Sequence, residues 1–238
     1  MTLIAIGGAE DKQGAMDVLK AVLAEASGAQ SKVVVVTSAT SYPDDARKTY
    51  IDAFKQLGVD CEVAHIENKA QADTPALLSG IAGADVVFFS GGDQSKLVAA
   101  LEGTDFMQAV LQRHREGGIV AGTSAGAAAM SALMVTGGNP ERATEPGEIT
   151  SARGFGLAPE IIFDTHFLNR GRLPRLFNLV AAHPQKTGIG LDEDTAAIMR
   201  GDGSIEAVGS GAVTIVRQGA ERDDFSVTTL KRGDVFRL

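Results

Sequence analysis

The sequence predicts an α/β protein: a three-layer sandwich with a mostly parallel central sheet and a C-terminal antiparallel β extension. Two observations carry that expectation. Over the first two-thirds of the chain, short apolar runs alternate with longer stretches in which apolar residues recur at helical spacing. Over the last part, short strand-like runs follow one another closely with turn residues between them. Strands alternating with crossover helices build a mostly parallel sheet covered on both faces. The closely spaced runs then form either an antiparallel extension of that sheet or a small β-layer beside it. No linker, repeat or low-complexity tract interrupts the 238 residues, so a single domain, 1–238, is expected.

Taken in order, "LIAIGG" (residues 3–8) reads as a strand ending in a glycine turn. "GAMDVLKAVLAEAS" has Met16, Leu19, Val22 and Leu23 at the spacing of one helix face. "KVVVVTSA" is a continuous β-branched run, as a strand buried on both faces requires. "DDARKTYIDAFKQLG" is a helix with a glycine stop. "CEVAHI" is a third strand, "TPALLSGIAG" a short helix, and "ADVVFFSGGD" a fourth strand ending in a glycine pair. "FMQAVLQRHREGG" is a helix and "IVAG" a fifth strand. After "GRLPRLFNLVAAHP", a helix ended by Pro184, come the runs "GIGLDED", "AAIMR", "IEAVG", "AVTIVR", "FSVTTL" and "DVFRL". In such sheets, sites gather in the turns at the carboxyl ends of the strands. Three glycine turns belong there: Gly7-Gly8, Gly91-Gly92 and Gly122 to Gly126.

Composition narrows the function. The net charge is −8, from 22 basic and 30 acidic side chains. That argues against general nucleic-acid binding and against an anionic membrane surface. The single cysteine, Cys61, cannot form an internal disulfide, and its strand-like setting reads as a small apolar packing residue. Met1 leads straight into a strand, without the basic and apolar stretches of a signal peptide, and no run reaches the length of a membrane span. The expectation is a cytoplasmic protein.

The chemistry centres on "IVAGTSAGAAAMS" (residues 119–131), a G-x-S-x-G pattern around Ser124. The pattern alone is not specific, but a strand before it and a helix former after it make the strand–turn–helix setting of a nucleophile elbow. A side chain at Gly122 or Gly126 would collide across so sharp a turn. The helix start behind Ser124 offers free N–H groups and a positive dipole end to a developing oxyanion, with Ala125 N–H the first donor. The bland alternative is a glycine turn that packs a helix closely on a sheet. A phosphate-binding loop would need a following lysine, and a dinucleotide fingerprint a different glycine spacing after the first strand.

A serine nucleophile needs a base. His65 sits in a strand among apolar neighbours, His114 complements the dipole at the polar end of a helix, and His183 precedes Pro184 at another helix end. His166 differs: it follows the apolar run "EIIFD" and heads the polar cluster "DTHFLNRGRLPR". It is the candidate general base. The carboxylate that would orient it is Asp164, two residues upstream and on the same face of an extended segment, or one of Asp192, Glu193 and Asp194 in the turn "GLDEDT". The residues themselves leave Asp164 and Glu193 both open. Arg170, Arg172 and Arg175 crowd a helix start, where cations oppose the dipole, so a carboxylate ligand would offset them. No metal-ligand spacing is present, and no metal or cofactor is expected.

"IGGAEDK", "FFSGGDQSKL", "GTSAGAAAMS", "DTHFLNRGRLPRL" and "GIGLDEDTA" occur in that order between about Gly7 and Ala196. Together they resemble the cyanophycinases, in the serine-peptidase family that also contains the aspartyl dipeptidase peptidase E. The resemblance implies a three-layer fold similar to class I glutamine amidotransferases, with serine in place of the cysteine nucleophile. It implies cleavage of cyanophycin, a poly-aspartate chain with arginine joined to each side-chain carboxyl, to β-Asp-Arg dipeptides. It implies Ser124 as nucleophile, His166 as base and Glu193 as the orienting acid. Ala125 and Gly92 N–H would form the oxyanion hole. Gln94, Asp164, Thr165, Arg170, Arg172 and Arg175 would bind substrate, with the arginines on its carboxylates and Asp164 on its guanidinium. Thr165 departs from the glutamine that cyanophycinases often carry there; its shorter hydroxyl can still hydrogen-bond substrate. The arginine-rich run favours the polymer-cleaving branch over peptidase E. A homodimer is implied as well. The alternatives are a dipeptidase for Asp-X or isoaspartyl peptides, and a catalytically silent binding module on the same fold.

Overall fold

The structure is a computed structural model that describes residues 1–26, 28–143, 145, 147–221 and 224–238. In chain order its elements begin with β1 (Thr2–Ile6), α1 (Asp17–Glu25), β2 (Val33–Val36), α2 (Pro43–Gln56) and β3 (Cys61–Ala64). There follow α3 (Lys69–Ala72), α4 (Pro75–Ala82), β4 (Val86–Phe89), α5 (Gln94–Leu101), α6 (Asp105–Arg115), β5 (Ile119–Thr123) and α7 (Ala125–Met130). The rest comprises β6 (Leu133–Gly137), β7 (Thr150–Arg153), β8 (Ile161–Thr165), α8 (Leu173–Ala182), β9 (Thr187–Leu191), β10 (Thr195–Arg200), β11 (Ser204–Gly209), β12 (Val213–Gln218), β13 (Phe225–Leu230) and β14 (Val235–Arg237).

The five N-terminal strands pair in parallel in the order β1-β5-β4-β2-β3. Alternation along each strand deals its side chains to two cores. Ile4, Ile6, Val33, Val35, Phe88 and Ala121 pack with Leu19, Val22, Tyr50 and Phe54 of α1 and α2. Leu3, Ala5, Val34, Val36, Phe89 and Val120 pack on the opposite face with Ile81, Leu97, Phe106 and Met130 of α4 to α7. These are the three expected layers. Burial on both faces explains why β2 reads as four valines in a row.

The C-terminal strands take both arrangements that the sequence allows. β10, β11 and β14 add antiparallel to β1 and extend the main sheet to eight strands. β8, β9, β12 and β13 form a second sheet, in which β8 and β9 are parallel and joined through α8. Its inner face, with Phe163, Ile189 and Ile215, closes on the core that holds α7. Its outer face is covered by Leu176, Leu179 and Val180 of α8. Glycine inside β9 has a reason: a Cβ at Gly188 would lie 2.8 Å from Leu176 of α8.

Four elements go beyond the sequence reading: α3, α5, and the hairpin β6–β7. His65 lies one residue past the end of β3, with Nδ1 3.1 Å from the Thr37 carbonyl oxygen. Cys61 is half-buried and packs beside the α1/α2 layer, and burial pushes its thiol up to about 11. Among the described residues, no helix is long and apolar enough to cross a membrane. The glycine turns after β1, β4 and β5 converge at the carboxyl edge of the sheet, where the ends of β8 and β9 meet them.

Candidate active site

Ser124 occupies the corner between β5 and α7 with φ 52° and ψ −112°, a region a non-glycine residue rarely adopts. Its N–H donates to the Ile6 carbonyl at 2.9 Å, and its own carbonyl accepts from Ala128 N–H at 3.0 Å. Both flanking glycines are sterically required. A Cβ at Gly122 would lie 2.6 Å from the Gly126 backbone, and one at Gly126 would run into the Phe89 carbonyl. Strand β4 and helix α7 therefore touch backbone to backbone, and the serine hydroxyl stands clear at the sheet edge. Ala125 is the first residue of α7, so its N–H has no partner within the helix.

Ser124 Oγ lies 2.9 Å from His166 Nε2, and His166 Nδ1 lies 2.6 Å from Glu193 Oε1. A carboxylate only accepts, so Nδ1 carries the ring hydrogen and Nε2 is left to accept from the serine. His166 follows the last residue of β8 and has φ 49°. That turn breaks the strand alternation, so the extended-segment argument for Asp164 does not apply: the imidazole bonds Glu193, in the turn after β9. Its N–H donates to Gly7 carbonyl at 2.8 Å, and its ring lies on Gly8, where a Cβ would strike it. Burial lowers the imidazole pKa most; the bond to Glu193 raises it, and Arg170 and Arg172 lower it further. The net direction is downward, which keeps the ring neutral and able to accept a proton near pH 7.

The arginines line the other side of the same cavity, which measures about 190 Å³ and also contains Gly92, Gln94, Ser124 and Thr165. Asp164 is 1% exposed and Arg175 5%. Arg175 Nε donates to Asp164 Oδ2 at 2.6 Å, and Arg175 Nη2 bonds Oδ1 in the second arm of a fork. Arg172 Nη1 is 3.7 Å from Asp164 Oδ1 and donates to the Thr165 carbonyl at 2.7 Å. Burial first, then its arginine neighbours, brings the Arg172 pKa down to about 10, so it stays cationic at neutral pH. The carboxylate that offsets cations at the start of α8 is thus the chain's own Asp164. It is engaged by Arg175 on both oxygens. Gln94 opens α5 and donates from Nε2 to the Val135 carbonyl at 2.9 Å. Gly92 has φ 141° and presses on the backbone of Ala39, and a Cβ at Gly91 would lie 3.4 Å from Ser124 Cβ. Among the described residues, no group of His, Cys, Asp and Glu is clustered to hold a metal ion.

The model of peptidase family S51 matches residues 1–207. The chain belongs to peptidase family S51. A cyanophycinase of Trichormus variabilis is 38% identical over 216 residues, which are 90% of this chain and 72% of that protein. A cyanophycinase of Synechococcus elongatus is 36% identical over 235 residues, 98% of this chain and 72% of that protein. The crystal structure of a peptidase from an acI-B1 actinobacterium superposes with a TM-score of 0.81 at 21% identity, over 100% of this chain and 96% of that one, which establishes a shared fold.

In this S51 peptidase several residues inside or beside the motifs take supporting roles that the sequence pattern did not assign. Asn169 Oδ1 accepts from Glu193 N–H at 3.1 Å and fixes the loop behind the imidazole. Asp192 accepts from Leu168 N–H at 2.9 Å and Ala212 N–H at 3.0 Å, and Asp194 Oδ1 from Asp11 N–H at 3.0 Å. The acidic triplet is thus not a solvated turn: two members brace loops and the middle one faces His166. Thr136, Gly137 and Gly138, from the unforeseen hairpin β6–β7, wall the cavity.

Proposed function

We propose that the protein is a serine-type cyanophycinase that degrades the polymer to β-Asp-Arg dipeptides through an acyl-enzyme on Ser124. The observation that carries this reading is the chain of bonds from Ser124 to His166 to Glu193, 2.9 and 2.6 Å long, at the mouth of an arginine-lined cavity. Neutral His166 takes the hydroxyl proton as Ser124 Oγ attacks the carbonyl of a β-linked Asp-Arg unit. Glu193 stabilises the imidazolium, while Ala125 and Gly92 N–H groups receive the oxyanion. The imidazolium protonates the leaving amine, the acyl ester forms, and water activated by His166 releases it. Arg170 and Arg172 take the substrate carboxylates, with Arg175 held behind them by Asp164. Gln94 and Thr165 supply hydrogen bonds along the wall.

Incubation of the purified protein with cyanophycin granules tests this. Wild type releases β-Asp-Arg, and Ser124→Ala releases it about 10⁴-fold more slowly or worse. Release by Ser124→Ala at the wild-type rate would sink the mechanism. The small size of the cavity also suits a short Asp-X or isoaspartyl peptide. Rapid cleavage of such dipeptides with no action on polymer would favour that second reading. A homodimer and a cytoplasmic location belong to the same proposal. Support for the dimer comes from Val227, Val235 and Leu238, exposed large apolar residues in the C-terminal strands and at the chain end. Light scattering at micromolar concentration reads the assembly directly.

A further inference from the structure

Of the two acidic side chains in "IGGAEDK", Glu10 and Asp11, neither of which the hydrolysis uses, Glu10 is the buried one. Glu10 follows the glycine turn of β1, yet its side chain is only 1% exposed. It accepts three bonds: from Tyr50 hydroxyl at 2.9 Å and Lys12 Nζ at 2.9 Å on Oε1, and from Thr123 Oγ1 at 2.5 Å on Oε2. Burial and the Glu10 charge hold the Tyr50 phenol well above its ordinary pKa, so it remains a donor.

Thr123 is the last residue of β5 and precedes Ser124. Alternation turns its side chain to the α1/α2 side, where Ile119 and Ala121 pack and where Tyr50 also lies. Glu10 is therefore on the far side of the sheet from the alanines of α7 and is not part of the cavity wall. Taking a carboxylate out of water is costly, and apolar groups of similar volume are often at least as stabilising. What the charge does at this position is local. It binds the residue that leads into the strained Ser124 backbone, and such strain persists only where surrounding contacts over-determine it. The loop that carries Glu10 also seats the base: Gly7 carbonyl accepts His166 N–H, and Gly8 carbonyl accepts Asp194 N–H, both at 2.8 Å.

Resting on the serine-peptidase reading, we propose that Glu10 is a positioning residue: its carboxylate fastens Thr123, and through it Ser124, to the loop on which His166 sits. It sets the separation of nucleophile and base without touching substrate. Its clearest partner test is Thr123→Val, which keeps the shape and removes the hydroxyl. Thr123→Val and Glu10→Gln each lower kcat on cyanophycin about 10- to 100-fold with KM within about twofold, as a misplaced reacting group does. The double variant is no worse than the worse single one, because both act through one bond. Thr123→Ser, which restores the hydroxyl, returns kcat to within about threefold of wild type. Labelling of Ser124 by a fluorophosphonate follows the same order. Val22→Ala, a cavity in the same layer, matches the loss of stability and leaves kcat alone. Wild-type kcat in Thr123→Val, or multiplying losses in the double variant, overturns the proposal. So does an equal kcat loss in Val22→Ala. If Glu10→Gln does not fold, the comparison of Thr123→Val with Thr123→Ser decides alone. Labelling of wild type reports on the proposed function and the variant-to-wild-type ratio on Glu10, so the two fail separately.

Discussion

The two sides of the cavity are built on different principles. On the Ser124 side the design is in the backbone: φ 52° at Ser124, φ 49° at His166, and glycines where α7 crosses β4 and where the imidazole lies on the loop after β1. On the arginine side Asp164 lies in β8 and Arg175 in α8, and the design is in charge, with the two locked together almost out of solvent. One side fails when a contour changes, the other when a charge is left alone. That difference predicts which substitutions damage rate and which damage the folded state.

The sharpest way to break the comparison is Gly126→Ala. A single methyl there meets the Phe89 carbonyl, and backbone cannot yield as a flexible side chain does. The helix start and Ser124 shift together. The expected loss in kcat is about 100-fold or more, for a displacement on the order of 1 Å. Stability falls by about 1–3 kcal/mol, the usual cost of overpacking. A variant with wild-type kcat would show that the corner tolerates a looser contour.

Arg175→Met tests the other side. It strands the Asp164 carboxylate in a site that is 1% exposed, and removing one partner of a buried pair costs about 3–5 kcal/mol. Thermal or urea unfolding should register that loss. Adding Asp164→Leu should recover most of it, since two apolar groups leave nothing unpaired. If Arg175→Met unfolds like wild type, water or Arg172, 3.7 Å away, is neutralising Asp164, and the cluster is looser than its geometry suggests.

The same contrast explains what was legible in the sequence. Strands buried on both faces are continuous apolar runs, so β1, β2, β4 and β5 could be read directly, and with them the three layers. Ser124 was legible because the steric demands of a sharp corner leave glycines in the sequence. The pairing of Asp164 with Arg175 was not, because it spans a strand end and a helix start with no fixed periodicity. The hairpin β6–β7 escaped for a related reason: β7 is exposed throughout, so its residues, Thr150 to Arg153, carry no alternation. Helix α5 follows the "SGGD" turn at once, and its apolar face is short. The choice between Asp164 and Glu193 turned on one dihedral angle, at His166, and composition does not encode an angle in a non-glycine residue. The resemblance to cyanophycinases supplied Glu193 where local pattern left two candidates.

The mildest test varies only pH and separates the two sides without mutation. The base works when His166 is neutral, and its pKa is shifted below the ordinary value near 6.5, chiefly by burial. The rate should therefore be flat at and above about pH 6.5 and fall only at more acid pH, as the imidazole takes a proton before the serine can give it one. Stability has the same sign. A histidine whose folded pKa is depressed contributes fully above its unfolded pKa, and that contribution is lost as pH falls through the folded value. On the arginine side, Arg172 keeps its charge until about pH 10. KM should then stay within about twofold between about pH 6 and 9 while kcat alone responds at the acid end. A KM that rises together with the fall in kcat would mean that substrate capture depends on His166, and the division between a contour-built side and a charge-built side would not hold.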